Sequence, residues 1–122
     1  MRLLLDTHTF LWWDQGDLQA GVVKRIQEAE EVFVSAATAW EIAIKSALGK
    51  LKTTGTVARA IADYGFDDLP ILVGHADVVR SLPHHHRDPF DRMLVAQAKV
   101  ESLTLVSRDA ALRAYDVPVV WL

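Results

Sequence analysis

Short apolar runs alternate along this chain with longer stretches of helical period. LLLD, VFVS, LPIL, LTLVS and VPVVWL are too short for helices, and the segments between them repeat apolar residues every three to four positions. That alternation is the mark of strands joined by crossover helices over a parallel sheet, an α/β fold. Strands are predicted near Arg2–Asp6, Val32–Ser35, Leu69–Leu72, Leu103–Ser107 and Val119–Leu122. Helices are predicted near Thr7–Gln15, Leu18–Ala29, Ala36–Leu48, Val57–Tyr64, His75–Leu82, Pro89–Glu101 and Ala110–Ala114. Pro70 and Pro118 fall in or against the third and fifth strands, and proline cannot donate into a central ladder. Those two strands are therefore placed at the edges, giving the order 3-2-1-4-5. Such a sheet reverses direction beside its first strand, and open parallel sheets carry their sites there, beyond the carboxyl ends of the strands.

Length and composition fit one domain, residues 1–122, with 51% hydrophobic residues to fill its core. No leader-like segment or membrane-length apolar run is present, so a soluble, cytoplasmic protein is expected. The absence of cysteine removes disulfides, thiolate metal sites and cysteine nucleophiles, leaving oxygen and imidazole as metal ligands. A net charge of −3 argues against a simple basic nucleic-acid clamp, although two bound divalent ions would more than offset it.

Four acids change the picture. Asp6 closes the first apolar run, Glu41 interrupts an apolar helix face, Asp91 lies in the first turn of a helix, and Asp109 follows the fourth strand. Crossover helices run antiparallel to the strands, so all four return to the same edge of the sheet. On the third helix Ala37, Trp40, Ile44 and Leu48 form an apolar stripe, and Glu41 falls beside it, facing the protein. Carboxylates gathered without basic partners repel one another, and a divalent cation is the simplest compensation. Each acid taken singly has a plainer reading. Asp6 and Asp109 are well placed to cap the helices that follow them, and Asp88-Pro89 with Asp91 reads as an N-cap, first helical residue and capping-box acid. For Glu41 the plainer reading is weakest, because capping cannot explain its interior position. His84, His85 and His86 precede these acids in a loop without zinc spacing, which favours a structural or supporting role over ligation. Thr7 and Ser107 adjoin Asp6 and Asp109 and can orient a carboxylate or serve as caps. Lys45, Arg87, Arg92 and Arg108 lie beside the acids as candidate phosphate contacts.

With these strings in order, the chain resembles PIN-domain ribonucleases, most closely VapC-type toxins of toxin–antitoxin pairs. LLLDTHTFLWW is similar to the first PIN motif, with Asp6; VSAATAWEIAIKSALGKL to the second, with Glu41; DRMLVAQA to the third, with Asp91; and LVSRD to the fourth, with Asp109 and a serine where threonine is common. The resemblance implies a three-layer α/β/α sandwich and Mg²⁺- or Mn²⁺-dependent cleavage of RNA, with all four acids as ligand or catalytic candidates. It also implies an antitoxin partner and a homodimer. Whether Asp88 touches a metal stays open. Two other classes compare less well: a haloacid-dehalogenase-like phosphatase requires a second aspartate where this chain has His8, and a catalytically silent binding module has no need of four intact acids. The run Phe10, Leu11, Trp12 and Trp13 points apolar bulk in all directions around a short helix, so either a neighbouring helix covers Trp12 or a partner does.

Overall fold

The computed structural model describes residues 1–122. In chain order it runs β1 (Arg2–Leu5), α1 (Thr7–Gln15), α2 (Ala20–Glu28), β2 (Glu31–Ser35), α3 (Ala36–Ala47), α4 (Val57–Tyr64), β3 (Asp67–Leu69), α5 (Val73–Ser81), α6 (Pro89–Glu101), β4 (Thr104–Ser107), a 3₁₀ turn (Ala110–Ala114) and β5 (Val119–Trp121). The sheet is five-stranded and parallel throughout, in the order β3-β2-β1-β4-β5. No helix is long and apolar enough to cross a membrane.

The two-residue period of a strand explains why β1 is a bare leucine run. Leu3 and Leu5 point to one face of the sheet and Leu4 to the other, and each face has its own buried cluster. Leu4 and Leu105 pack with Leu94, Val95 and Ala98 of α6, whereas Leu3, Leu5 and Val106 pack with Phe10, Val22, Ile26, Ile42 and Ile61 of the helices opposite. A central strand buried on both sides has no polar position to spare until Asp6, which begins the turn.

Three expectations need correction. The third strand is Asp67–Leu69, not Leu69–Leu72. Pro70 ends the pairing because it lacks the N–H the ladder requires, and the apolar Ile71 and Leu72 that follow are exposed. The strand's own Asp67 and Asp68 are exposed on the sheet edge, so no apolar run marked it. The predicted helix His75–Leu82 begins instead at Val73, where the buried His75 imidazole accepts the Leu72 N–H through Nδ1 at 3.0 Å and meets Glu101 through Nε2 at 2.9 Å. Only Ala37 of the predicted α3 stripe is buried; Trp40, Ile44 and Leu48 face outward at 61%, 37% and 63% exposure.

Arg92 is corrected as well. Far from gripping phosphate, it is buried, and its guanidinium donates to the carbonyls of Pro83 at 2.8 Å, Val79 at 3.0 Å and Leu82 at 3.3 Å and to Tyr115 Oη at 3.3 Å. It thereby ties together carbonyls at and just beyond the end of α5, where Val79 O also accepts the Leu82 N–H. Arg92→Met is expected to cost about 3 kcal/mol in urea denaturation, since buried acceptors lose a charged donor. A loss below about 1 kcal/mol would show that water replaces the guanidinium at little cost.

Candidate active site

The acids reach one edge of the sheet by four local routes. Asp6 follows β1, its backbone N–H still donating to Val106 O of the neighbouring β4, and its Oδ1 accepts the Thr9 N–H at 2.9 Å to cap α1. The capping reading of Asp6 is therefore correct without excluding another role, because a carboxylate has lone pairs to spare. Ser107, at the end of β4, donates its hydroxyl to Asp6 Oδ2 while its Oγ accepts the Asp109 N–H at 3.0 Å. One buried serine thus ties the two strand-end aspartates together. Asp109 Oδ1 accepts the Ala111 N–H at 3.0 Å and caps the 3₁₀ turn.

Glu41 is 4% exposed, in agreement with its place on the inward face of α3. Thr7 Oγ1 donates to its Oε1 at 2.7 Å and Lys45 Nζ approaches its Oε2 at 2.8 Å. Lys45 sits one helical turn beyond Glu41, and this bond raises the lysine's pKa. The expectation that the acids lack basic partners fails here. Lys45 is committed to Glu41 instead of standing free.

Asp88 is the N-cap of α6, its Oδ1 accepting from Phe90 N at 2.8 Å and Asp91 N at 3.3 Å. The capping box does not form, because the Asp88 N–H donates to His86 Nδ1 at 3.0 Å and not to Asp91. That diversion leaves the Asp91 carboxylate to the pocket. Burial, and next the charge of Asp88, push its pKa from 3.8 up to about 7; His86 opposes the rise, while Asp6 and Glu41 add to it. Asp91 thus feels the other acids at a distance where charge matters. Asp88→Ala should lower stability by about 1 kcal/mol, the usual worth of an N-cap. Urea midpoints at pH 5, with Asp91 protonated, check this; an unchanged midpoint would remove Asp88 as a cap.

His86 stands apart from its two neighbours. Its Nε2 lies 2.7 Å from Asp109 Oδ2 and 3.1 Å from Asp91 Oδ2, so ligand atoms of His86, Asp91 and Asp109 fall within 4.8 Å of one another. Neither Asp6 nor Glu41 joins that tight triplet. Because Nδ1 accepts the Asp88 N–H, the hydrogen-bond pattern assigns the ring proton to Nε2, which makes His86 a donor to the carboxylates and not a metal ligand while that bond persists. Burial resists ionisation of Asp109, but the bonds from His86 and the Ala111 N–H outweigh it and lower its pKa. The triple-histidine run held no period that singled out its third member; only its fold-back against Asp88 does so.

Trp12 is half-buried, with the Arg108 guanidinium 4.1 Å over its ring and His8 5.7 Å away. A cation covers it, not a neighbouring helix. Arg108 and Arg87 are exposed beside the pocket. A cavity of about 620 Å³ lies between α1, α3 and α4 and includes none of the four acids. Its size reflects a groove between helices, whereas the site is defined by its chemistry.

Fold and pocket together define a doubly wound parallel-sheet protein whose carboxylates converge at the switch point of the sheet. The chain belongs to the PIN domain family, whose model matches residues 3–118. No curated protein sequence matches it significantly. Among solved structures it is similar to DNA-bound VapBC from Salmonella typhimurium, at 14% identity and a TM-score of 0.69 over 98% of this chain and 97% of that one. VapBC2 from Rickettsia felis, bound to a promoter DNA fragment, matches at 13% identity and a TM-score of 0.73 over 98% of both chains. FitAcB from Neisseria gonorrhoeae matches at 24% identity and a TM-score of 0.67, covering 96% of this chain and 95% of that one. At such identities the likeness shows the shared fold.

Proposed function

We propose that this chain is a divalent-metal-dependent ribonuclease and the toxin half of a toxin–antitoxin pair, acting as a single-domain protein in the cytoplasm. The observation that carries the reading is the gathering of acids inside a PIN domain, where Ser107 ties Asp6 to Asp109 and where burial, then Asp88, with smaller additions from Asp6 and Glu41, push the Asp91 carboxyl up to about 7. Acids so placed in one pocket raise each other's cost of ionisation, and a hard divalent cation relieves that cost. The donors fit such an ion: they are carboxylate oxygens, and the nearest imidazole is turned to donate. Asp6, Asp91 and Asp109, with Glu41, would hold Mg²⁺ or Mn²⁺, Asp6 and Asp91 being the foremost direct ligands. A bound ion would supply charge to stabilise the phosphodiester transition state and would make water a better nucleophile.

The remaining residues set up that pocket. Ser107 and the Thr9 N–H fix the two oxygens of Asp6, Thr7 and Lys45 fix those of Glu41, and His86 holds Asp109 beside Asp91. Arg108, next to Asp109, is free to meet a substrate phosphate over its outer face. The VapBC and FitAcB likenesses support an antitoxin partner for this chain, and a homodimer is part of the same proposal. A second reading rests on one observation. Lys45 already pairs with Glu41 and His86 already hydrogen-bonds Asp109, so a catalytically silent binding module would tolerate this pocket without metal.

Expression of the chain alone in a bacterium decides between them. Growth should slow, and Asp6→Asn, Glu41→Gln or Asp91→Asn should each restore it at equal protein level. If the three variants inhibit growth as strongly as the unaltered protein, toxicity does not arise in this pocket and the binding-module reading takes its place.

A further inference from the structure

Among the four acids Glu41 is the one that meets an ammonium. Asp6 accepts from the Thr9 N–H and the Ser107 hydroxyl, Asp109 from the Ala111 N–H and the His86 ring, and Asp91 lies against His86. Glu41 instead has Lys45 Nζ at 2.8 Å from Oε2, with Thr7 Oγ1 at 2.7 Å from Oε1. A glutamate followed by lysine four residues later is an ordinary helix-surface pair when both side chains stand in water. Here the glutamate side chain is 5% exposed and that of the lysine 42%, so the ammonium is drawn down onto a buried carboxylate. It also feels the charges of Asp88 and Asp91, which belong to the start of α6 and not to its own helix. The head of Lys45 is thus directed toward the acids of the pocket.

We propose that Lys45 is a built-in second cation of this pocket: its ammonium occupies the oxygen of Glu41 on which a second divalent ion would have to sit, so that the site accepts one ion per chain. The inference rests on the metal-dependent reading above and narrows it to a single ion. Paired-ion sites hold their metals about 3.5–4 Å apart, which leaves no place for a fixed cation on the carboxylates they share. An ammonium 2.8 Å from Oε2 repels a divalent ion brought to that oxygen, and beside a buried carboxylate water screens the repulsion poorly. Oε1 keeps a lone pair beyond the Thr7 bond, so Glu41 can still face one ion from its other side. Lys45 is in this sense a positioning residue that acts through Glu41. Its charge, being tethered, is present at every magnesium concentration, and the site does not depend on filling a weak second position.

Manganese counts the ions, because free Mn²⁺ gives a sharp paramagnetic resonance signal that binding broadens. Titration of the unaltered chain should show one bound Mn²⁺. Lys45→Met keeps the length of the side chain without its charge, and it should bind two, with the spin coupling of ions about 4 Å apart. Adding Glu41→Gln to that variant should abolish the second ion, and Lys45→Arg should bind one like its parent. Below saturation, the slope of log cleavage rate against log Mg²⁺ concentration should rise from about 1 in the parent to about 2 in Lys45→Met, a change that a loss of folded protein does not produce. Lys45→Gln is read in the same way should circular dichroism show Lys45→Met unfolded. Two coupled ions on the unaltered chain would overturn the inference. So would a single ion, or an uncoupled second one, on the folded charge-removed variant. No Mn²⁺ on the unaltered chain would remove the metal-dependent reading and this inference together. Cleavage by the unaltered protein is scored separately. The expected ion counts without cutting keep the role of Lys45 and remove the ribonuclease, while cutting with equal counts in parent and variant does the reverse.

Discussion

Asp6→Asn and Asp91→Asn should each cut magnesium-dependent RNA cleavage by about a hundredfold or more, the usual scale for losing one preorganised electrostatic element of an active site. Asparagine keeps the shape of aspartate and its capping oxygen, so Thr9 and Asp6 can still meet through that atom and the fold should persist. What is lost is the negative charge. An amide oxygen is a poor substitute for a carboxylate on a hard cation, and the Ser107 hydroxyl then faces an amide in place of an anion. Cleavage rates on labelled RNA, measured with circular dichroism of the same preparations, check the prediction. Variants that are folded and within threefold of the parent rate would place the chemistry outside this pocket.

The second large effect is on stability. The folded pKa of Asp91, about 7, lies above its ordinary value of 3.8, so between those values the folded chain keeps a proton that the unfolded chain has released. Metal-free protein must therefore lose stability as pH rises through that window, at about 1.4 kcal/mol per pH unit and by about 4 kcal/mol in all. The loss is complete above about pH 7 and absent below about pH 4. Asp109 acts in the opposite sense. Its pKa is lowered, so the stability it adds is present above its unfolded value and is lost only as pH falls below that value, outside most of the window set by Asp91. Asp91→Asn removes the titrating group, and its melting temperature should be nearly flat where that of the parent falls. The difference between the two proteins is the quantity to read. Added Mg²⁺ should raise the parent's melting temperature more at pH 7.5 than at pH 5, since at the lower pH it competes with the Asp91 proton. Parallel curves for parent and variant, with and without metal, would mean that the Asp91 carboxyl is not held by the other acids.

The sheet order was legible in the sequence because two prolines mark edges by chemistry: neither can donate to a ladder, and the three uninterrupted apolar runs had to fill the middle. The doubly buried leucines of β1 follow from the same logic, as a central strand covered on both faces reads as a continuous apolar run. The convergence of Asp6, Glu41, Asp91 and Asp109 on the carboxyl edge was likewise legible, since crossover topology fixes which ends of strands and helices share an edge. Even the outcome for Asp88 was local, for Pro89 behind it leaves little but an N-cap.

Other features belong to the tertiary structure alone. Helical period placed Trp40, Ile44 and Leu48 on one face of α3 but could not say that this face points to solvent, because period reports amphipathicity and not what lies opposite. Arg92 carries the same charge as Arg108, and only the packing of α6 against the end of α5 turns one into a buried tie while the other stays exposed over Trp12. The partners of the acids were equally hidden. Lys45 was within reach of Glu41 by spacing, but His86 approaches Asp109 and Asp91 only because its Nδ1 accepts the Asp88 N–H, which also keeps Asp91 out of a capping box. Sequence fixes which groups share an edge, because chain direction and strand order are one-dimensional facts. Which of them pair, titrate or stand open depends on distances of a few ångströms between elements far apart in the chain, and the packed fold sets those distances.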